Sequence, residues 1–200
     1  MKNVIKLALV IQCFSYVAYA SGGNEMVTAD DVIKALDLKP LPEEGGYFRE
    51  TYRSEKIKAP ASIFGINSND SRVISTAIYY LVRPESFSAL HRIQSDEIFH
   101  FYAGDPVEMI QIDESGKLTS HIIGSDIFNG EAPQVVVKRG TWQALKLKEG
   151  GAWALMGTTV SPGFEFADFE VGDREKMLKL FPQHCDDILR FSRGPNEKAH

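Results

Sequence analysis

The stretch His91-Arg92-Ile93-Gln94-Ser95-Asp96-Glu97 sets an imidazole six residues before a carboxylate. A strand, a short turn and a second strand would bring His91 and Glu97 together and aim a ring nitrogen and a carboxylate at one centre. Such a pair suits proton transfer, with His91 as base and Glu97 orienting it, or coordination of a divalent cation. Further along, Lys138-Arg139-Gly140-Thr141-Trp142-Gln143 is a tight glycine turn feeding a strand, with Gln143 near its start. His91 and Glu97 are therefore candidate ligands for iron, manganese, zinc or nickel, with waters completing the shell, and Gln143 is a further polar side chain to weigh beside them.

Strand alternation sorts the neighbours. Phe87, Ala89, His91 and Ile93 share one face, and Gln143 shares its face with Thr141 and Leu145. The pocket wall beside His91 should be largely apolar with a few polar groups, as small-molecule sites usually are. Tyr79 and Tyr102 are candidate proton donors, and Arg49, Glu165 and Asp168 candidate ligand contacts. His100 is an alternative metal ligand, yet alternation groups Phe99 and Phe101 with Glu97 and turns His100 away unless a bulge re-aims it. Its expected place is a hydrogen-bonded inter-sheet or dimer contact. Phe164, Phe166 and Phe169 read as core, and Trp142 and Trp153 as packing residues.

The elements that must position these groups are mostly strands. β-branched and aromatic runs cover 75–82, 87–93, 98–102, 107–112, 118–123, 134–137, 141–147, 152–160 and 164–171, separated by turn signals such as Asn129-Gly130 and Ser161-Pro162-Gly163. Many short strands at near-regular spacing mean a sandwich or barrel. Thr28-Ala29-Asp30-Asp31 resembles a capping box opening a short N-terminal helix, which Pro40 and Pro42 end. The run Glu44-Gly45-Gly46-Tyr47-Phe48-Arg49-Glu50-Thr51 combines a glycine bend with a strand-like segment. Near the other end, Asp173 can cap a helix with Met177, Leu180 and Phe181 on one face, followed by a last turn at Ile188-Leu189.

The two segments around His91 and Gln143 resemble the two motifs of the cupin superfamily. His91, Glu97 and Gly104 match the histidine, glutamate and glycine of the first motif, with Ile93 at its second histidine. Gly140 matches the glycine of the second, with Lys138 at its proline and Gln143 at its histidine. Glu44-Gly45-Gly46-Tyr47-Phe48-Arg49-Glu50-Thr51, Ser95-Asp96-Glu97 with His100-Phe101-Tyr102-Ala103-Gly104-Asp105, and Pro162-Gly163-Phe164-Glu165-Phe166 with Asp168-Phe169-Glu170 look like the signature of a cupin branch of unknown function. The resemblance covers roughly residues 28–190. It implies an all-β, double-stranded β-helix barrel (a jelly roll) with short terminal helices, a pocket inside the barrel and a homodimer. Ile93 removes one nitrogen donor, and Gln143 offers a weaker oxygen ligand than an imidazole.

The chain of 200 residues, 44% hydrophobic and 24% charged, fits one globular domain. Lys2 and Lys6, an uncharged run from Leu7 to Val17 and Ala18-Tyr19-Ala20 read as a signal peptide cleaved after Ala20. The expected organisation is a signal peptide at 1–20, a flexible leader at 21–27, one domain at 28–193 and a disordered tail at 194–200. Export would leave the protein secreted or periplasmic. Cleavage removes two lysines and takes the formal charge from −5 to −7. That acidity disfavours nucleic acid, and no remaining segment is long and apolar enough to cross a membrane. Cys185 alone would remain of the two cysteines, so an internal disulfide is excluded, and it reads as a partly buried small residue.

Two functions fit these residues. One is an enzyme, a sugar-type isomerase or epimerase in which His91 moves a proton, or else a metal-dependent enzyme. The other is a non-catalytic small-molecule, carbohydrate-like binding protein. No nucleophile elbow, phosphate-binding glycine loop or CxxC motif supports hydrolase, nucleotide or dithiol chemistry.

Overall fold

A computed structural model describes residues 26–55, 57–194 and 197. The expected signal peptide, and most of the expected leader and tail, lie outside these residues. Among the described residues the first element is helix α1 (Ala29–Ala35), where Thr28 and Asp31 cap each other's backbone N–H groups. Thirteen strands follow among these residues, and eleven of them make two facing sheets.

The first sheet has six strands in the order β1 (Lys39–Pro40), β2 (Tyr47–Arg53), β5 (Thr76–Val82), β12 (Ala154–Ser161), β7 (Asp96–Gly104) and β10 (Gln134–Val137). The second has five in the order β13 (Phe169–Val171), β6 (Ser88–Ile93), β11 (Trp142–Leu147), β8 (Val107–Ile112) and β9 (Leu118–Ile123). All neighbours within these sheets are antiparallel. A small hairpin of β3 (Lys58–Pro60) and β4 (Ser71–Val73) stands apart. This is the expected all-β jelly-roll barrel with short helices at both ends.

The barrel interior is filled from both sheets, by Tyr80, Val82, Phe99 and Met156 from one and Met109, Ile123 and Leu145 from the other. The five-stranded sheet is buried on its back as well. There Leu90, Ile110, Trp142 and Ala144 pack under Met177 of α2 (Arg174–Leu180) and Ile188 and Phe191 of α3 (Cys185–Phe191). Burial on two faces explains the near-continuous apolar run of β8. Capping of α2 by Asp173, which accepts from the Lys176 N–H, is as expected.

Several local expectations change. Residues 164–171 do not form one strand: Phe164 donates its N–H to Thr76 Oγ1, a helical turn spans Phe166–Asp168, and only Phe169–Val171 pairs with β6. The side chain of Asp168 is drawn inward by the buried Arg72, at 2.7 and 2.8 Å, which bends the segment out of the sheet. Phe166 is consequently 62% exposed instead of core. Leu180 is also exposed, because α2 turns only Met177 fully into the barrel wall. Cys185 is exposed at the first turn of α3, with its thiol outside the packed face.

Candidate functional site

His91 lies on β6, with Gln143 of β11 on one side and Val171 of β13 on the other. It is 3% exposed, and its ring stacks at a tilt on Phe169, with centroids 5.3 Å apart. Nδ1 is 2.8 Å from the Ala89 carbonyl oxygen. A carbonyl can only accept, so Nδ1 carries the hydrogen and, in the neutral ring, Nε2 presents its lone pair. Nε2 points toward Glu44 Oε2, 3.9 Å away, a gap too long for a direct hydrogen bond.

Glu97 is the second residue of β7 in the opposite sheet, so the turn after Ile93 crosses from one sheet to the other. Gln143 reaches across the barrel and donates from Nε2 to Glu97 Oε2 at 2.6 Å. Burial pushes the Glu97 carboxyl above its ordinary range; nearby His91 opposes that rise, the charge of Glu44 adds to it, and hydrogen bonds from Gln143 and Thr158 oppose it. Gln143 Oε1 is buried without a hydrogen-bond partner.

Glu44 comes from the loop preceding β2, which no spacing argument singled out. Ser88 Oγ donates to Glu44 Oε1 at 2.7 Å and holds the carboxylate at the pocket floor. The loop can approach this closely because of Gly45 and Gly46, both with positive φ: a Cβ on Gly45 would lie 2.3 Å from the Phe87 carbonyl oxygen, and one on Gly46 would lie 2.6 Å from the Tyr80 hydroxyl. Tyr80 is fully buried and donates to the Gly45 carbonyl at 2.9 Å. Burial, reinforced by the charge of Glu44, raises its phenol well above the usual value.

Together these groups close one end of a cavity of about 740 Å³, its mouth included. Leu41, Phe48, Ile78, Ile93, Phe99 and Val160 make the apolar walls. At the rim, Arg53 is held by Glu50 Oε2 and Glu165 Oε1, each at 2.8 Å, and donates to the Phe164 carbonyl at 3.2 Å. Glu165 thus lines the pocket at its rim.

Other candidates lie elsewhere. Phe48 and Glu50 face the cavity, so Arg49 between them points to the outer face, where its guanidinium sits 5.5 Å above the Tyr79 ring. Tyr79 packs edge-on against Tyr102, 52% exposed, on the same outer face. His100 also faces outward, between Thr159 Oγ1 and Gln134 Nε2, each at 3.2 Å. The phenol beside the carboxylates is Tyr80, one residue from the Tyr79 chosen on sequence. Alternation carried the signal, but the apolar run Ala77–Val82 left its parity open.

The fold implies a metal, and the residues present do not fit one. Among the described residues no three His, Cys, Asp or Glu side chains gather into a metal centre. Ile93 supplies no donor, Gln143 offers only its neutral amide oxygen, a weaker ligand than an imidazole, and the Glu97 Oε2 that a metal would need is occupied by the Gln143 N–H. Of the expected set, Gln143 and Glu97 are hydrogen-bonded to each other and His91 to the Ala89 carbonyl, while His100 is held by Thr159 and Gln134 on the outer face.

Comparison with known proteins agrees with this architecture. The family model described as cupin superfamily (DUF985) matches residues 30–172. An uncharacterized protein of Saccharomyces cerevisiae is 32% identical over 154 residues, covering 72% of this chain and 77% of that protein. A hypothetical protein from Leishmania major superposes with a TM-score of 0.75 at 32% identity, covering 84% of this chain and 100% of that one. A Shewanella oneidensis protein gives 0.74 at 36% identity, covering 84% and 99%. Oxalate decarboxylase from Bacillus subtilis shares the fold alone, at 18% identity and a TM-score of 0.50 over 82% of this chain and 38% of that one. The two-sheet barrel, the pocket between its sheets and the family match together place this chain in the DUF985 branch of the cupin superfamily.

Proposed function

We propose that the protein is a metal-independent proton-transfer enzyme, an isomerase or epimerase of a small hydroxylated carbonyl compound bound inside the barrel. The observation that carries this reading is the locked ring of His91: Nδ1 is tied to Ala89, and the Nε2 lone pair, with Glu44 3.9 Å away, is on the side of the cavity. In this scheme Nε2 takes the proton from the carbon next to the substrate carbonyl. The electron pair of the broken C–H bond moves onto the carbonyl oxygen, which receives a proton from Glu97 or Tyr80. Burial favours the protonated forms of both, which suits them to that task. His91 then delivers the proton to the former carbonyl carbon while the hydroxyl on the neighbouring carbon gives its proton back to the depleted acid, which forms the new carbonyl and restores both protein groups.

The test uses dihydroxyacetone, erythrulose and xylose as probes in D2O, with proton NMR reading the loss of the C–H signal beside the carbonyl. Exchange by the wild type that falls on the order of a hundredfold in His91→Gln supports the proposal. Bound probes with no exchange would leave a carbohydrate-like binding protein, the second reading.

The same proposal includes export and pairing. The basic, apolar and small-residue order of residues 1–20 supports a signal peptide, which N-terminal sequencing of the mature protein tests. The exposed Tyr102 and Val136 on the outer face of the six-stranded sheet support a homodimer, which light scattering tests.

A further inference from the structure

The charge lining the cavity is one-sided. Four carboxyl side chains, Glu44, Glu50, Glu97 and Glu165, meet one guanidinium, Arg53. Arg53 is already committed to Glu50, Glu165 and the Phe164 carbonyl, so it has little left for an anionic ligand. Arg193, the other guanidinium close to Glu44, is turned to the backbone: it donates to the carbonyls of Glu43, Glu44 and Phe87 and does not line the cavity. At the closed end, Glu44 Oε1 is met by Ser88, while Oε2 faces His91 across 3.9 Å with no lysine or arginine side chain on it among the described residues. Phe48, Tyr80, Phe99 and Phe164 line the same cavity, with Tyr80 close enough to feel the charge of Glu44. A carboxylate in a cavity walled by aromatic rings is an arrangement suited to an ammonium group, through a charge-assisted hydrogen bond and attraction to ring faces.

We propose that the physiological ligand carries a protonated amine, seated on Glu44 within the aromatic walls, so that the substrate is an amino sugar or a similarly hydroxylated amine. This rests on the proton-transfer reading for the rest of the ligand, and it assigns Glu44 as the residue that selects charge. An anionic sugar acid would meet Glu44 and Glu165 with no free cation to offset them.

Three probes of matched shape test the idea on the full mature chain: glucosamine, glucose and glucuronate, with affinity measured by calorimetry. The expected order is glucosamine, then glucose, then glucuronate, with at least about tenfold between the first two, as one charge-assisted hydrogen bond supplies. Glu44→Gln, which keeps shape and the Ser88 contact, should bring glucosamine to the level of glucose. His91→Gln should retain the preference. Equal or tighter binding of glucose or glucuronate, no binding of glucosamine, or a preference that survives Glu44→Gln would each overturn the inference. Deuterium exchange reads the catalytic proposal separately. Amine preference without exchange overturns only the catalysis, and exchange without amine preference overturns only the charge selection.

Discussion

Gln143 Nε2 and Glu97 Oε2, carried on opposite sheets, meet at 2.6 Å across the barrel. The contact fixes the carboxyl beside His91 and also spans the two halves of the core. Replacing Gln143 by Leu removes the N–H that favours ionised Glu97, so the Glu97 carboxyl should titrate still higher. The orphaned Oε1 leaves with it, which offsets part of the loss. Urea denaturation of Gln143→Leu should show a net cost of about 1–2 kcal/mol.

The raised carboxyl of Glu97 has a sign that pH can read. The folded protein holds this proton more tightly than the unfolded chain, so its contribution to stability is complete below the ordinary value of 4.5 and is lost as pH rises through the folded-state value. Thermal midpoints of the wild type should therefore fall across that interval relative to Glu97→Gln, whose profile should be flatter there. Parallel profiles for the two proteins would contradict the assignment.

Arg72 and Asp168, 2% and 6% exposed, form a doubly bonded buried pair that pins the loop carrying Glu165 to the β3–β4 hairpin. Arg72→Met should cost about 3–5 kcal/mol, because it leaves Asp168 buried without its counter-charge. Adding Asp168→Leu to that variant should recover much of the loss, a double-mutant cycle measured by chemical denaturation.

Three tyrosines of the six-stranded sheet, Tyr79, Tyr80 and Tyr102, separate inner from outer roles. Tyr80→Phe should lower deuterium exchange on the order of a hundredfold if its hydroxyl protonates the substrate oxygen. Tyr79→Phe and Tyr102→Phe, altered on the outer face, should leave exchange within about twofold of the wild type.

Most of the barrel was legible because period-two alternation and turn residues are local properties. The runs at 107–112, 118–123 and 134–137 coincide with β8, β9 and β10. The capping residues Thr28 and Asp173 were equally visible, since a cap is read within four residues. His91, Glu97, Gln143 and Glu165 all come to the cavity or its immediate support. Glu44 escaped because its placement depends on a glycine loop folding back onto Ser88, 44 residues away in sequence. Arg53 escaped similarly, since its partner Glu165 is 112 residues distant. The 164–171 run failed as a strand because the tertiary pull of Arg72 on Asp168 outweighs local β preference.

Arg193, two residues beyond α3, donates to the carbonyls of Glu43, Glu44 and Phe87. The loop that delivers Glu44 to the pocket is therefore clasped by a residue 149 positions later in the chain. Strands β2 to β13 all lie between the two in sequence, so the pocket floor and the segment after α3 behave as one unit although the whole barrel separates them along the chain. Trimming a few residues from the C-terminal side of Phe191 would then disturb ligand binding at a distance, while the strands themselves stay paired.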